Sequence, residues 1–121
     1  MANPLYEKSY AFSLRVVKAY KYLVENKKEY VLSKQFLRAG TSIGANVAEA
    51  NGAISKAEFS AKLSVAYKES LEVKYWLCLL KDSGYMTVKA FESLHTDVDE
   101  LSKMLFASIN TTRGMRAKKN N

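Results

Sequence analysis

The chain of 121 residues is poor in the residues that build disulfide-rich or metal-binding proteins, with one Cys and one His. A single Cys excludes an intrachain disulfide framework and makes a reducing compartment the default. A single His excludes any metal or catalytic site that needs two imidazoles from one chain. One Pro and five Gly indicate few turns and long regular elements.

Long hydrophobic runs are also missing from the sequence. The longest run, residues 75–80, is far shorter than the ~20 apolar residues that a membrane-spanning helix needs. The N-terminus has no basic segment followed by an apolar one, so the sequence predicts no signal peptide. We therefore expect a cytoplasmic protein with no membrane partner.

Sequence motifs of catalysis and cofactor binding are absent: we find no glycine-rich phosphate loop, no HExxH and no GxSxG. The segment Glu92-Ser93-Leu94-His95 has the spacing of half a di-iron carboxylate motif. The second half would need another His. The sequence therefore predicts a protein that is not an enzyme, with no catalytic residue, no cofactor and no metal.

Apolar residues repeat with the helical period along nearly the whole chain, which predicts four helices. The first covers about residues 5–25. Its predicted core face is a stripe of residues three or four apart, widened by a second stripe. The first stripe consists of Tyr10, Leu14, Val17, Tyr20 and Val24. The second consists of Phe12, Val16, Ala19 and Leu23.

The ends of the other three helices are predicted from capping residues. Ser33 is a suitable N-cap for a second helix that ends near Asn51-Gly52. Ser55 to Glu58 has the pattern of a capping box, which starts the third helix, and Gly84 suits its C′ position. The fourth helix begins near Thr87. Residues 1–112 should thus form an all-α, antiparallel up-down-up-down four-helix bundle, and residues 113–121 a basic, disordered tail.

The second helix carries two unusual stripes. A stripe of small residues four apart consists of Gly40, Gly44 and Ala48. Such spacing lets another helix approach closely, either inside the bundle or in a second subunit. A polar stripe consists of Gln35, Arg38, Ser42, Asn46 and Glu49. It is either a polar network that determines register or a binding face.

Residues 35–50, Gln-Phe-Leu-Arg-Ala-Gly-Thr-Ser-Ile-Gly-Ala-Asn-Val-Ala-Glu-Ala, resemble the signature of four-helix-bundle proteins related to the 23S rRNA intervening-sequence proteins. The resemblance continues in the segments Glu58-Phe59, Lys62-Leu63, Tyr75-Trp76-Leu77 and Gly84-Tyr85, and it spans residues 5 to about 110. Two positions depart from the pattern. Val47 replaces the usual Ile, and Gly52 follows Ala50-Asn51 instead of closing a Glu-Gly pair.

This resemblance implies an antiparallel four-helix bundle that assembles as a ring-like homopentamer. It also implies kinship with the accessory variability protein of diversity-generating retroelements, which resembles a basic barrel that binds nucleic acid and a reverse transcriptase. No catalytic residue carries over. The structural or interface signature falls on Gly40, Ser42, Gly44, Asn46 and Glu49.

The charge balance points to an anionic partner. The chain has 19 Lys and Arg against 12 Asp and Glu, a net charge of +7. Residues 113–121 supply +4 of it, because they hold four basic residues and no acidic one. Such a balance favours polyanions, although a solubilising surface has the same composition. The candidate nucleic-acid contacts are Arg15, Lys18, Lys21, Lys34, Arg38, Arg113, Arg116, Lys118 and Lys119.

The leading interpretation is a non-catalytic, oligomeric helical protein that binds RNA or DNA electrostatically. The alternative is a structural scaffold whose partner is another protein and that has no nucleic-acid ligand. The sequence does not distinguish RNA from DNA as the ligand.

Overall fold

The computed structural model describes the backbone of residues 3–120 and the side chains of residues 3–113. Its helices are α1 Pro4–Lys27, α2 Leu32–Asn51, α3 Lys56–Asp82 and α4 Val88–Asn120. Helices consecutive in sequence pack side by side, and α1 also contacts α4. The predicted all-α up-down-up-down bundle is confirmed. The backbone of α4 continues through residues 113–120, where the sequence predicts a disordered tail. The side chains beyond residue 113 are not described, so the role of the basic residues there stays a prediction.

Local side-chain hydrogen bonds begin α1, α3 and α4. Asn3 Oδ1 accepts from the Tyr6 N–H at 3.1 Å at the start of α1. Ser55 Oγ accepts from the Glu58 N–H at 3.1 Å, as a capping box predicts. The Glu58 carboxylate accepts in return from the Ile54 N–H at 3.3 Å, one residue before the cap. The N-termini of these helices are therefore determined locally.

The turn between α3 and α4 has the hydrogen bonds of a Schellman motif. The Tyr85 N–H donates to the Leu80 carbonyl at 2.9 Å, and the Gly84 N–H donates to the Lys81 carbonyl at 3.0 Å. Gly84 has a φ of +83°, which explains why glycine occupies this C′ position. Thr87 Oγ1 then accepts from the Ala90 N–H at 3.1 Å, so α4 begins where the sequence predicts.

The N-terminus of α2 is capped by Glu29, and the prediction that Ser33 caps it is wrong. The buried Glu29 carboxylate accepts from the backbone N–H groups of Val31 at 3.1 Å, Leu32 at 2.9 Å and Ser33 at 2.7 Å. The chain reaches this arrangement because Lys28 adopts a left-handed conformation at the end of α1. Three of the four otherwise unpaired N–H groups of a helix start are thus satisfied by one side chain.

We expect Glu29→Gln to destabilise the fold by about 1–2 kcal/mol, because the Gln NH₂ group cannot accept a hydrogen bond. Burial acts to raise the pKa of Glu29, but the N–H donors of Leu32, Ser33 and Val31 outweigh it and lower the pKa below its ordinary 4.5. The carboxylate therefore stabilises the fold above pH ~4.5, and this stabilisation disappears as the pH falls through the lower folded-state pKa.

Chemical denaturation between pH 3 and 7 would measure this effect, with Glu25→Gln as the matched control on exposed α1 surface. The difference in unfolding free energy between parent and Glu29→Gln should be greatest at neutral pH and shrink in acid. A difference that does not change with pH, or an equal loss in Glu25→Gln, would contradict the capping role.

The core lies on the second apolar stripe of α1, which the sequence predicts to widen the core face, and not on the first stripe. Phe12, Val16 and Leu23 are buried, whereas Tyr10 and Leu14 are 55% and 57% exposed. Two apolar stripes run along this helix, and a helical period alone does not tell which one faces the other helices. Tyr10 and Leu14, from the first stripe, therefore lie on an exposed apolar surface of α1.

The small residues of α2 let α1 approach closely within the chain. A Cβ atom on Gly40 would lie 2.7 Å from both Cγ atoms of Val16, and one on Gly44 would lie 3.2 Å from Ser13 Oγ. Ala48, the third small residue of the stripe, is exposed. Tight intrachain packing therefore accounts for Gly40 and Gly44.

Candidate nucleic-acid interface

Lysines without acidic partners are concentrated on the second half of α1 and at its end. We call Lys18, Lys21, Lys27 and Lys28 the α1 lysine cluster. All four are exposed, and among the side chains of residues 3–113 none of them forms an ion pair. Lys27 lies in the last turn of α1 and Lys28 is its C-cap, and the helix dipole favours positive charge at these two positions.

Between α3 and α4, by contrast, Lys74 and Lys103 are neutralised by an acidic residue, Asp99. Asp99 accepts from Lys74 Nζ at 2.8 Å and lies 3.1 Å from Lys103 Nζ. The hydrogen bonds from Lys74 and Lys103 lower the pKa of Asp99 to about 2. This face of the bundle therefore offers less free positive charge than α1.

Arg15 connects α1 to α4 and is not a free cation. Its guanidinium donates to Asp97 Oδ2 at 2.5 Å and to Ser93 Oγ at 2.7 Å. The neighbouring pair of Lys8 with Glu100 joins the same two helices. Of the predicted contacts on α1, Lys18 and Lys21 thus have no acidic partner among the described side chains, while the charge of Arg15 is balanced by Asp97.

Arg38 likewise forms ion pairs with acidic side chains of this chain, on the surface of the bundle. Its guanidinium pairs with Glu72 and lies 3.3 Å from Glu69 Oε2, both on α3. Glu72 also accepts from Trp76 Nε1 at 3.1 Å, and Gln35 accepts from Arg38 Nε at 3.4 Å. The polar stripe of α2 therefore begins in a network that joins α2 to α3.

The middle of the polar stripe is bonded to its own helix. Ser42 Oγ donates to the Arg38 carbonyl at 2.7 Å, and Asn46 Nδ2 donates to the Ser42 carbonyl at 2.8 Å. At the far end, Glu49 Oε1 lies 3.3 Å from Lys62 Nζ of α3. Ser42 and Asn46 thus make no side-chain hydrogen bond to α3, and the stripe reaches that helix only through Arg38 and Glu49.

The remaining predicted cations belong to α2 and α4. Lys34 is exposed in the first turn of α2, and Arg113 is exposed on α4. Arg116, Lys118 and Lys119 lie outside the described side chains, so their contribution stays a prediction.

An open groove of about 580 Å³ lies between α1, the α3–α4 turn and the first turns of α4. Arg15, Lys18 and Lys27 line its α1 side together with Tyr22, whose side chain is 49% exposed. The residues that line the groove from the α3–α4 turn and α4 are apolar or uncharged: Gly84, Tyr85, Met86, Thr87, Ala90 and Leu94. The groove thus combines an apolar floor with a cationic edge and holds no carboxylate among its lining residues.

Sequence reasoning did not identify this groove, because its two sides are more than 50 residues apart in the chain. The available signal was local: Tyr22 follows Lys18 by four residues, so the two share one face of a helix. Nothing in the sequence showed that Tyr85 and Leu94 would face them.

Within residues 3–113 no three His, Cys, Asp or Glu side chains gather into a group that could hold a metal ion. The ring of His95, from the Glu-x-x-His segment, lies 5.2 Å from that of Phe91, centroid to centroid. In the part of the chain that the structure describes, no helix combines the length and apolar character needed to cross a bilayer.

The fold and surface define a small all-α protein, a four-helix bundle with a basic first helix. The chain belongs to the 23S rRNA-intervening sequence protein family, whose profile matches residues 2–107. A solved structure from Bacteroides thetaiotaomicron, a protein of unknown function from the S23 ribosomal protein family, is similar to it. The two are 48% identical, the match covers 87% of this chain and 97% of the other, and the TM-score is 0.86. No curated protein matches the chain.

Proposed function

We propose that this protein is a non-catalytic, oligomeric helical bundle that binds RNA or DNA through electrostatic contacts with the phosphate backbone. The observation that carries the proposal is the α1 lysine cluster, four exposed lysines without acidic partners among the described side chains. The net charge of +7 supports it, since it attracts polyanions over a long range. Membership of a family named after an insertion in ribosomal RNA is consistent with an RNA ligand.

The α1 lysine cluster provides the first test. Lys18→Glu/Lys21→Glu should weaken binding to a single-stranded or duplex oligonucleotide far more than Lys56→Glu/Lys89→Glu, which changes the net charge equally at two other exposed lysines. Each phosphate contact that the substitutions remove should flatten the plot of log affinity against log salt by roughly 0.7 for single strands or 0.9 for duplex.

Fluorescence anisotropy over a salt series measures both quantities. Equal losses of affinity in the two double variants would show that binding depends on the net charge alone and not on a defined face of the protein. If the parent protein bound neither RNA nor DNA at ~50 mM salt, where phosphate contacts are favoured, the nucleic-acid proposal would fail and the scaffold alternative would replace it.

The scaffold alternative is favoured by apolar side chains exposed on two helices. Tyr10 and Leu14 on α1 are exposed, and on α3 Tyr75 is 60% exposed beside the exposed Leu71. Because α1 and α3 each pack against α2 and α4, they occupy diagonal corners of the bundle. Two different apolar faces on opposite corners suit head-to-tail association, which forms a ring when the rotation between successive subunits closes.

We propose on this basis a homopentameric ring, which the family resemblance also implies. Sedimentation at micromolar concentration should give a mass of about 68 kDa, five times the 13.6 kDa chain. Tyr10→Glu should shift this mass toward that of one chain, because a charge would be buried in the subunit contact. Tyr30→Glu, at a residue equally exposed in the α1–α2 turn, is the matched control. A parent protein that sediments as a single chain would contradict the ring.

A further inference from the structure

We infer that the groove between α1 and the start of α4 binds an unpaired base of a single-stranded nucleic acid, with the flanking phosphates on its lysines. This inference rests on the proposed function and adds the form of nucleic acid that is preferred. It is carried by the juxtaposition of a half-exposed aromatic ring, apolar groove walls and cations on one side of the same groove.

The groove has the size and lining of a ligand site. Its volume of about 580 Å³ lies in the range of small-molecule pockets, roughly 300–1,000 Å³, which are mostly apolar with a few polar groups at the edge. Tyr22 lies between Lys18 and Lys27 on α1, and all three line the groove. A base stacked on the Tyr22 ring would therefore have cations on both sides along the helix.

The distribution of charge favours a nucleic-acid strand over a lone carboxylate. Lys18 and Lys27, the cations of the edge that have no acidic partner among the described side chains, are nine residues apart and so about 14 Å apart along the helix axis. One carboxylate can reach only one end of that row, whereas successive phosphates of a strand can contact several positions. Bases of a duplex are paired and stacked inside, so only an unpaired base can enter the groove.

Oligothymidylate, an abasic oligonucleotide of the same length and a duplex are the probes. The abasic strand carries the same phosphates without bases, so it isolates the contribution of the groove. Stacking on an aromatic side chain is worth about 1–3 kcal/mol per base, and we accordingly expect the parent to bind oligothymidylate about tenfold more tightly than the abasic strand.

Tyr22→Ala should remove this preference and leave binding to the abasic strand and the duplex unchanged. Tyr22→Phe should keep it, because the ring remains. Tyr30→Ala is the matched control, since it removes a comparably exposed tyrosine that lies outside the groove, in the α1–α2 turn. Ala90→Trp, at an exposed residue of the groove wall, should abolish the preference by filling the groove while all cations remain.

The result that would overturn the inference is equal affinity of the parent for oligothymidylate and the abasic strand. The proposed function would survive that result, because phosphate binding would persist; it fails only if no probe binds at ~50 mM salt. The inference would also be overturned if laurate bound the parent but not Ala90→Trp and oligothymidylate did not compete, since the groove would then take aliphatic carboxylates.

Discussion

Gly40→Leu is expected to destabilise the bundle by about 3 kcal/mol, at the upper end of the cost of overpacking a core. Even a Cβ atom at residue 40 would lie 2.7 Å from both methyl groups of Val16. Val16 is buried on α1, and its β-branched side chain has little freedom to rotate away. The two helices must therefore separate, and thermal unfolding at constant protein concentration should show a melting temperature lower by about 10 °C.

A double variant distinguishes this steric explanation from a general effect of glycine replacement. Val16→Ala removes the two methyl groups that Gly40→Ala would strike, so the double variant should be more stable than the sum of the single effects predicts. Gly52→Ala is the control, because a Cβ there meets only the Glu49 carbonyl oxygen at 3.6 Å. Strict additivity of Val16→Ala and Gly40→Ala would show that these residues do not compete for space.

Removal of residues 113–121 is expected to produce the largest decrease in nucleic-acid affinity. This segment carries four of the basic residues and no acidic one, and a pentamer would lose twenty positive charges at once. Each phosphate contact that disappears should reduce the salt slope by roughly 0.7 for single strands or 0.9 for duplex. Anisotropy titrations of the truncated and full-length proteins over a salt series would measure the change.

The truncation should leave thermal stability nearly unchanged. Ile109 is the last buried apolar side chain among those described, and Arg113 is exposed. A full-length variant with Arg113, Arg116, Lys118 and Lys119 replaced by Gln is the matched control, because it removes the charge and keeps the length. If this variant binds as tightly as the parent, the tail charges do not contact phosphate.

The sequence by itself determined the number of helices and most of their ends, because these depend on contacts within a few residues. The Ser55 capping bond and the Gly84 turn are formed by neighbours in the chain, and both were predicted. The cap of α2 was missed although it is equally local. Glu is not a usual N-cap residue, and its carboxylate reaches the helix start only because Lys28 turns the chain in a left-handed conformation.

Only the tertiary structure decided which apolar stripe of α1 is buried and where the groove beside α1 exists. Both stripes of α1 have the helical period, and the choice depends on Val16 fitting against Gly40 on another helix. The charges were likewise visible in the sequence, but their partners were not. Arg15 and Arg38 are neutralised by acids 82, 31 and 34 residues away, whereas Lys18 and Lys21 pair with no acid among the side chains of residues 3–113. The groove forms because α1 and the start of α4 come together, a distant contact that no local pattern encodes.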